Sequence, residues 1–350
     1  MLLKGVVLAE DRPESECGPH GAARIANRAI VCHVAESLVA AGAGSLAVVA
    51  GARQLPALRD AIESEMRGGV PIRYLETRGH GLWGALRAAS AFVADDPCIA
   101  HPAEGLVGQD LDPFCEALGA RSPELLLLLH RTGERSQWLA PSTHRALGLT
   151  ELGHGRSRLA LTGVCLFGPG ALARTCERPS EACAGVRADL AEIACGCAGR
   201  NAGVEAALVR SWRRYTGSPC DLLELNRVAL DRIAAQTEPA DHGDNRIEGR
   251  VIIDGTAEVS ASIIVGPSII GPRARISSSY IGPYTAIGAG AEIENSEIAR
   301  SIVAEGTRIR HIGGRIEAST IGRDATIFRD FALPRAIRLH VGEGVELALT

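Results

Sequence analysis

Aromatic side chains are scarce: Phe, Trp and Tyr together make up 3% of the 350 residues. A core must therefore be packed by Leu, Val, Ile and Ala, and a hydrophobic fraction of 46% is ample for that. A surplus of positive charge is also missing. The formal net charge is −4, which argues against nucleic acid as a partner, because a polyanion needs a basic surface. Small phosphorylated ligands stay open, since a few local charges can hold them. Long apolar runs are absent too. The stretch Leu125 to Leu129 is far too short to span a bilayer, and the opening MLLKGVVLAE lacks the apolar core and cleavage site of a secretory leader. The expectation is a cytoplasmic protein of two or three domains with no membrane partner. Ten cysteines occur, but neither Cys195 and Cys197 nor Cys176 and Cys183 have zinc-ligand spacing with a matching second half. They read as reduced thiols.

Up to residue 228 short apolar runs alternate with amphipathic stretches. Strands are expected at Leu2–Leu8, Ser45–Ala50, Pro71–Leu75, Pro97–His101 and Leu125–His130. Helices are expected at Ala22–Ala41, Gln54–Met66 and Leu82–Val93. This alternation predicts an α/β domain, a mostly parallel sheet with helices on both faces. Ligands of such sheets bind beyond the carboxyl ends of the strands, so the segment after Ala9 is expected to line any site. A helix is expected from Ser218 to Gln236, with Ser218 as its cap and Pro219 in its first turn. A polar stretch, Thr237 to Asn245, reads as a linker.

From Arg250 the periodicity changes. Ile264, Ile270, Ile276, Ile281, Ile287, Ile293 and Ile298 follow steps of six, six and five, repeated. Neither a helix nor a half-buried strand gives this spacing. A coil of three short strands does, with turns at Gly266-Pro267, Gly271-Pro272, Gly282-Pro283, Gly288 and Gly290. This is the hexapeptide signature of a parallel β-helix, in which stacked coils supply the core that one coil lacks. After Ile298 the spacing loosens through Ile309, Ile316, Ile321 and Ile327. The division expected is an α/β domain over 1–228, helix end and linker over 229–248, and the β-helix with a C-terminal tail over 249–350. Pro334 to Thr350 is expected to cap the β-helix.

An α/β domain joined by a helix to hexapeptide repeats resembles the sugar-1-phosphate nucleotidyltransferase family, in particular its long glucose-1-phosphate thymidylyltransferase branch. The resemblance is densest in Thr216–Leu230 (TGSPCDLLELNRVAL), Ser277–Val303 and Gly313–Ile327. It extends to Val6–Ala9 and to Leu161–Pro169, the latter matching a core strand beside the sugar and placing Gly163 there. It implies a Rossmann-like, GT-A-like mixed sheet, a left-handed β-helix, and a reaction in which a sugar 1-phosphate attacks the α-phosphorus of a nucleoside triphosphate. Catalysis of that kind is mostly positioning and electrostatic stabilisation.

The resemblance implies four devices, and this chain departs from each. The glycine-rich phosphate loop is replaced by Glu10-Asp11-Arg12-Pro13-Glu14-Ser15-Glu16, with Arg12 as its cation. His20 stands at a lysine position and Arg28 at a second one, while Asn27 matches. A histidine carries little charge near neutral pH. At the base-reading position Glu76 replaces a glutamine; Gly81 and Leu82 are kept, and Trp83 is expected to fill space where a base would lie. A carboxylate only accepts hydrogen bonds. Glu104 aligns with one metal-binding aspartate and retains a carboxylate suited to Mg²⁺, whereas Tyr215 occupies the place of the second. The sugar-side Glu-Lys-Pro motif is absent near Glu151.

The expectation is therefore a catalytically impaired nucleotidyltransferase-like protein acting as a scaffold or regulatory partner, needing Mg²⁺ only if active. It is expected to form a homo-oligomer, or a hetero-oligomer with an active relative. Two alternatives stay open: an active nucleotidyltransferase with a rebuilt site, and a hexapeptide acyltransferase using His311. Arg131, Arg135, Arg145, Arg156 and Arg158 read as a solvated basic surface, and the sequence alone shows no partners for His130 and His154.

Overall fold

The structure is a computed structural model describing residues 2–9, 19–66, 69–77, 81–133, 139, 143, 147, 158–177, 186–198, 203–233, 244–331 and 337–340. Two compact units share the chain: Met1–Ala23 with Ala29–Trp212, and Arg24–Arg28 with Arg213–Thr350.

The first unit is built on a seven-stranded mixed sheet. Its strands are β1 (Lys4–Leu8), β4 (Ser45–Ala50), β5 (Ile72–Glu76), β6 (Cys98–Pro102), β8 (Leu125–Arg131), β9 (Leu159–Phe167) and β10 (Val204–Leu208), and the short strand β7 covers Gly105–Val107. The order is β10-β8-β9-β6-β1-β4-β5. All neighbours are parallel except β9, which runs antiparallel to both β6 and β8. The central strands are continuous apolar runs, as strands covered on both faces must be: Leu46 to Ala50 and Leu125 to Leu129 are all buried. Helices α1 (Ile30–Ala40), α2 (Leu55–Glu65), α3 (Gly81–Val93), α4 (Asp112–Arg121), α5 (Ala171–Cys176) and α6 (Val186–Ala198) accompany the sheet. One core joins Leu82, Leu86 and Ala89 of α3 and Leu190, Ile193 and Ala194 of α6 to Val6, Val49 and Leu127.

One expected element is corrected. The helix drawn from Ala22 starts at Ile30. Before it come a 3-10 turn, His20–Ala22, and a hairpin of β2 (Arg24–Ile25) and β3 (Arg28–Ala29). The hairpin turn is Ala26-Asn27, with φ of +44° and +62°. This is the left-handed pair that a two-residue hairpin requires; Asn27 tolerates that conformation, whereas Ala26 does so at a cost.

In the second unit, which the chain re-enters at Arg213, α7 (Pro219–Asp231) starts at Pro219 but takes no side-chain cap from Ser218. Asp221 instead accepts from the backbone N–H of Thr216 at 2.9 Å and from its hydroxyl. Beyond it lies a parallel β-helix. Face one stacks Arg246–Glu248, Ile263–Val265, Tyr280–Ile281, Glu297–Ala299 and Arg315–Glu317. Face two stacks Val251–Ile253 through Thr320–Ile321, and face three Glu258–Ser260 through Thr326–Arg329. Ile264, Ile281 and Ile298 fall in register, one per coil, which is the seventeen-residue sum of the isoleucine steps.

The looser spacing after Ile298 has a physical origin. The passage from face one to face two takes five steps at Ile298–Val303, against six at Ile281–Ile287. The corner from face three back to face one then takes seven at Ile309–Ile316, against five at Ile293–Ile298. The interior continues regardless, with Val303, Ile309, Ile316, Ile321 and Ile327 all in the core. Ile337–His340 closes face three as an antiparallel strand on Thr326–Arg329.

Candidate functional site

The chain passes from β1 outward to β4 and β5, then returns to β6 on the other side of β1. This reversal is a topological switch point, and the crevice beyond the carboxyl ends of β1 and β6 is where such sheets place ligands. Ala9 follows β1 there, buried, its N–H donating to Val49 O at 2.9 Å. Ala103 begins the turn after β6, its N–H donating to Leu8 O at 2.8 Å. Glu104, next in that turn, is only 3% exposed. The 3-10 turn carrying His20 lies against the same turn. A Cβ on Gly21 would stand 3.1 Å from both Cβ and O of Ala103. Three of the expected site residues, Ala9, His20 and Glu104, thus share one edge.

The others scatter. Glu76 ends β5 at the sheet's border, exposed to solvent. Gly81 opens α3 with φ of +69°, and Leu82 behind it is buried. Gly163 lies within β9 at φ of +98°, where β9 bulges against β8 between Leu127 and Leu129. Thr162 stabilises the bulge: its hydroxyl donates to Leu128 O at 2.8 Å and accepts from Val164 N–H at 3.0 Å. Arg28 belongs to the second unit. Arg12 lies outside the described residues, as do His154, Glu151 and Arg135, Arg145 and Arg156; Arg131 and Arg158 are exposed. Trp83 is 5% exposed within the core cluster that holds Leu8 and Val49, and its indole N–H has no acceptor among the described residues.

Three residues shape this unit through contacts to which motif alignment gives no role. His101, on β6, is 1% exposed, and burial pushes its pKa down to about 4, so the ring is neutral. Its Nδ1 lies 2.8 Å from Pro102 O, which assigns the proton to that nitrogen. Trp212 meets it edge-on, ring centroids 5.7 Å apart. Lys4 is the sole lysine of the chain, so 36 of the 37 basic residues are arginines. It sits at the amino end of β1, 3.8 Å from Asp96 and 4.9 Å from the centre of the Phe92 ring. A plain count of lysines would have flagged it.

Among the described residues no group of three or more His, Cys, Asp or Glu side chains could hold a metal ion. Glu104 is a single carboxylate, so a Mg²⁺ ion would depend on ligand phosphates and water for the rest of its shell. The eight described cysteines are free, and burial raises Cys98 and takes Cys165 to about 12, so these two are inert thiols. No helix among the described residues is long and apolar enough to cross a membrane.

No family model matches the sequence. Curated relatives do, over nearly the whole chain. The glucose-1-phosphate thymidylyltransferase of Streptomyces griseus is 29% identical over 98% of this chain and 97% of its own. That of Streptomyces antibioticus is 27% identical over 97% and 98%. Over nearly its whole length the chain is thus similar to glucose-1-phosphate thymidylyltransferases. A low-salt glycan biosynthesis nucleotidyltransferase of Haloferax volcanii is 25% identical over 100% of this chain and 99% of its own. Among solved structures, a glucose-1-phosphate thymidylyltransferase of Bacillus anthracis, in complex with a sucrose, has the same fold over 67% of this chain and 98% of its own. Its TM-score is 0.53 at 16% identity.

Proposed function

We propose that this chain is catalytically impaired and serves as a scaffold or regulatory partner in nucleotide-sugar metabolism. The observation that supports this is Lys4. The family's chemistry gathers negative charge on phosphoryl oxygens and needs fixed cations around them. The single lysine stands at the opposite end of β1 from the switch point, separated from Ala9 by roughly 16 Å of extended chain. At the crevice edge the described residues offer the imidazole of His20, in the turn that lies against Ala103, and the carboxylate of Glu104. Losing one transition-state contact costs on the order of 10²–10³ in rate, and several are altered here, although such losses do not simply add.

A second reading is an active enzyme with a rebuilt site. It is favoured by Glu104, a carboxylate kept buried at the switch point, and by full-length relatives that bear the names of nucleotidyltransferases. Pyrophosphate release from a panel of nucleoside triphosphates with glucose 1-phosphate and Mg²⁺ decides between them. Background rates are expected; turnover on the order of one per second, ordinary for an enzyme, would overturn the proposal. Size-exclusion chromatography alone and with an active relative then tests the partner role.

A further inference from the structure

Three polar groups gather at the amino end of the first unit's sheet. Lys4 of β1 stands beside Ser45 of β4 in the parallel register, and two residues further along Val6, Ala47 and Arg73 of β5 form one row. Alternate residues of a strand share a face. Lys4, Ser45 and Arg73 therefore lie on one face of the sheet, the one whose Val6, Val49 and Leu75 join the core with α3. The Phe92 ring, in the last turn of α3, receives both cations. Lys4 Nζ lies 4.9 Å and Arg73 Cζ 6.0 Å from its centre.

Each of the three lacks what its chemistry asks for. The Lys4 side chain is only 20% exposed, yet among the described residues its ammonium donates no hydrogen bond; the Asp96 carboxylate, at 3.8 Å, is too far to accept one. Arg73 has neither an ion pair nor a hydrogen bond among the described residues, only the ring. Ser45 Oγ is buried and has no partner there either. A buried hydroxyl left unpaired is destabilising and rare enough to call for a cause.

We propose that Lys4, Ser45 and Arg73 form a binding site for a phosphate group, either inorganic phosphate or a small phosphate monoester. An ammonium, a guanidinium and a hydroxyl are all donors, and their complement is an anion that accepts several hydrogen bonds at once. The ring of Phe92 holds the two cations at one spot although β4 separates their strands. That pre-organisation lowers the cost of gripping one anion between them. Asp96 counts against it, but two cations facing one carboxylate leave a positive surplus. Asp95, its neighbour, lies against Gly170 instead.

The site stands at the opposite end of β1 from the switch point. It is therefore separate from the crevice, and it stands or falls whether or not the crevice turns over a substrate.

Lys4 is the sole lysine, so the full chain grown on ¹³C-lysine gives a single side-chain Cε signal by NMR. Titration with inorganic phosphate, and separately with glucose 1-phosphate, at constant ionic strength reads the site directly. A saturable shift of that signal is expected. Saturation by both assigns the site to the phosphate group itself, and saturation by the sugar phosphate alone assigns it to a monoester. Ser45→Ala and Arg73→Gln should each weaken binding by about tenfold, and Asp96→Asn should tighten it. Arg59→Gln, whose guanidinium lies on the Tyr74 ring across the sheet, should leave it unchanged. Thermal midpoints matching the parent without phosphate establish that each variant is folded. No shift, a shift that stays linear or is matched by chloride, or a shift indifferent to both Ser45→Ala and Arg73→Gln would each overturn the proposal.

Discussion

Asn226 Oδ1 accepts a hydrogen bond from the backbone N–H of Ala26 at 2.8 Å, across two hundred residues of chain. The same amide donates to Tyr284 O at 3.0 Å and is only 1% exposed. One side chain thus ties the left-handed hairpin turn and a β-helix coil to α7. An alanine at φ of +44° pays about 1–2 kcal/mol for that conformation, which the bond helps to offset. Asn226→Leu leaves the buried Ala26 N–H unpaired, at about 1–3 kcal/mol, and removes the donor to the part-buried Tyr284 C=O. The thermal midpoint should fall by several degrees and exchange of the Ala26 amide should accelerate. A midpoint and exchange rate equal to wild type would show that the bridge contributes nothing.

His101 makes stability depend on pH. Its folded pKa of about 4 lies below the ordinary value near 6.5 because burial disfavours the charged ring. The unfolded chain therefore binds the proton first as pH falls. Stability is full above about pH 6.5 and is lost on acidification towards pH 4, by about 3 kcal/mol in total. His101→Gln should flatten that part of the pH–stability curve in urea titrations at pH 7, 6, 5 and 4.5. Parallel curves for the two proteins would refute the assignment.

Much of the fold was legible because its signals are periodic. Ser45 to Ala50 forms the expected strand, and the isoleucine steps give the coil length directly. The hairpin at Ala26-Asn27 was not legible. Alanine and asparagine there carry no turn signature of the Asn-Gly kind, and what holds the turn comes from Asn226 and Ile287, far along the chain. Within the site, motif alignment found Glu104 but could not reveal its near-complete burial. The packing of His101 against Trp212 was not legible, because it arises from a contact across the fold rather than from local spacing.

Gly105 and Trp212 form one such contact. A Cβ added to Gly105 would stand 2.3 Å from Cη2 and 2.7 Å from Cζ2 of the indole. A rigid ring packed against His101 has little room to yield, so Gly105→Ala should destabilise by about 1–3 kcal/mol. Trp212→Leu removes the obstacle at its own cost. In the double variant the two losses should sum to clearly less than their separate values, the mark of residues in contact. Additive losses in chemical denaturation would place the strain elsewhere.

Stacking makes the cost of a cavity depend on its coil. Ile281 is 0% exposed, held in register between Ile264 and Ile298, whereas Ile316 near the end of the stack is 8% exposed. Each coil draws its stability from its neighbours, so an interior void cannot be relieved by fraying, while an end coil can open. Ile281→Ala should cost about 3–5 kcal/mol and Ile316→Ala about 2 kcal/mol. Hydrogen exchange should show the second variant opening locally, over residues 315–329, with the interior coils still protected. Equal costs, or global opening in both variants, would mean that the β-helix unfolds as one indivisible block.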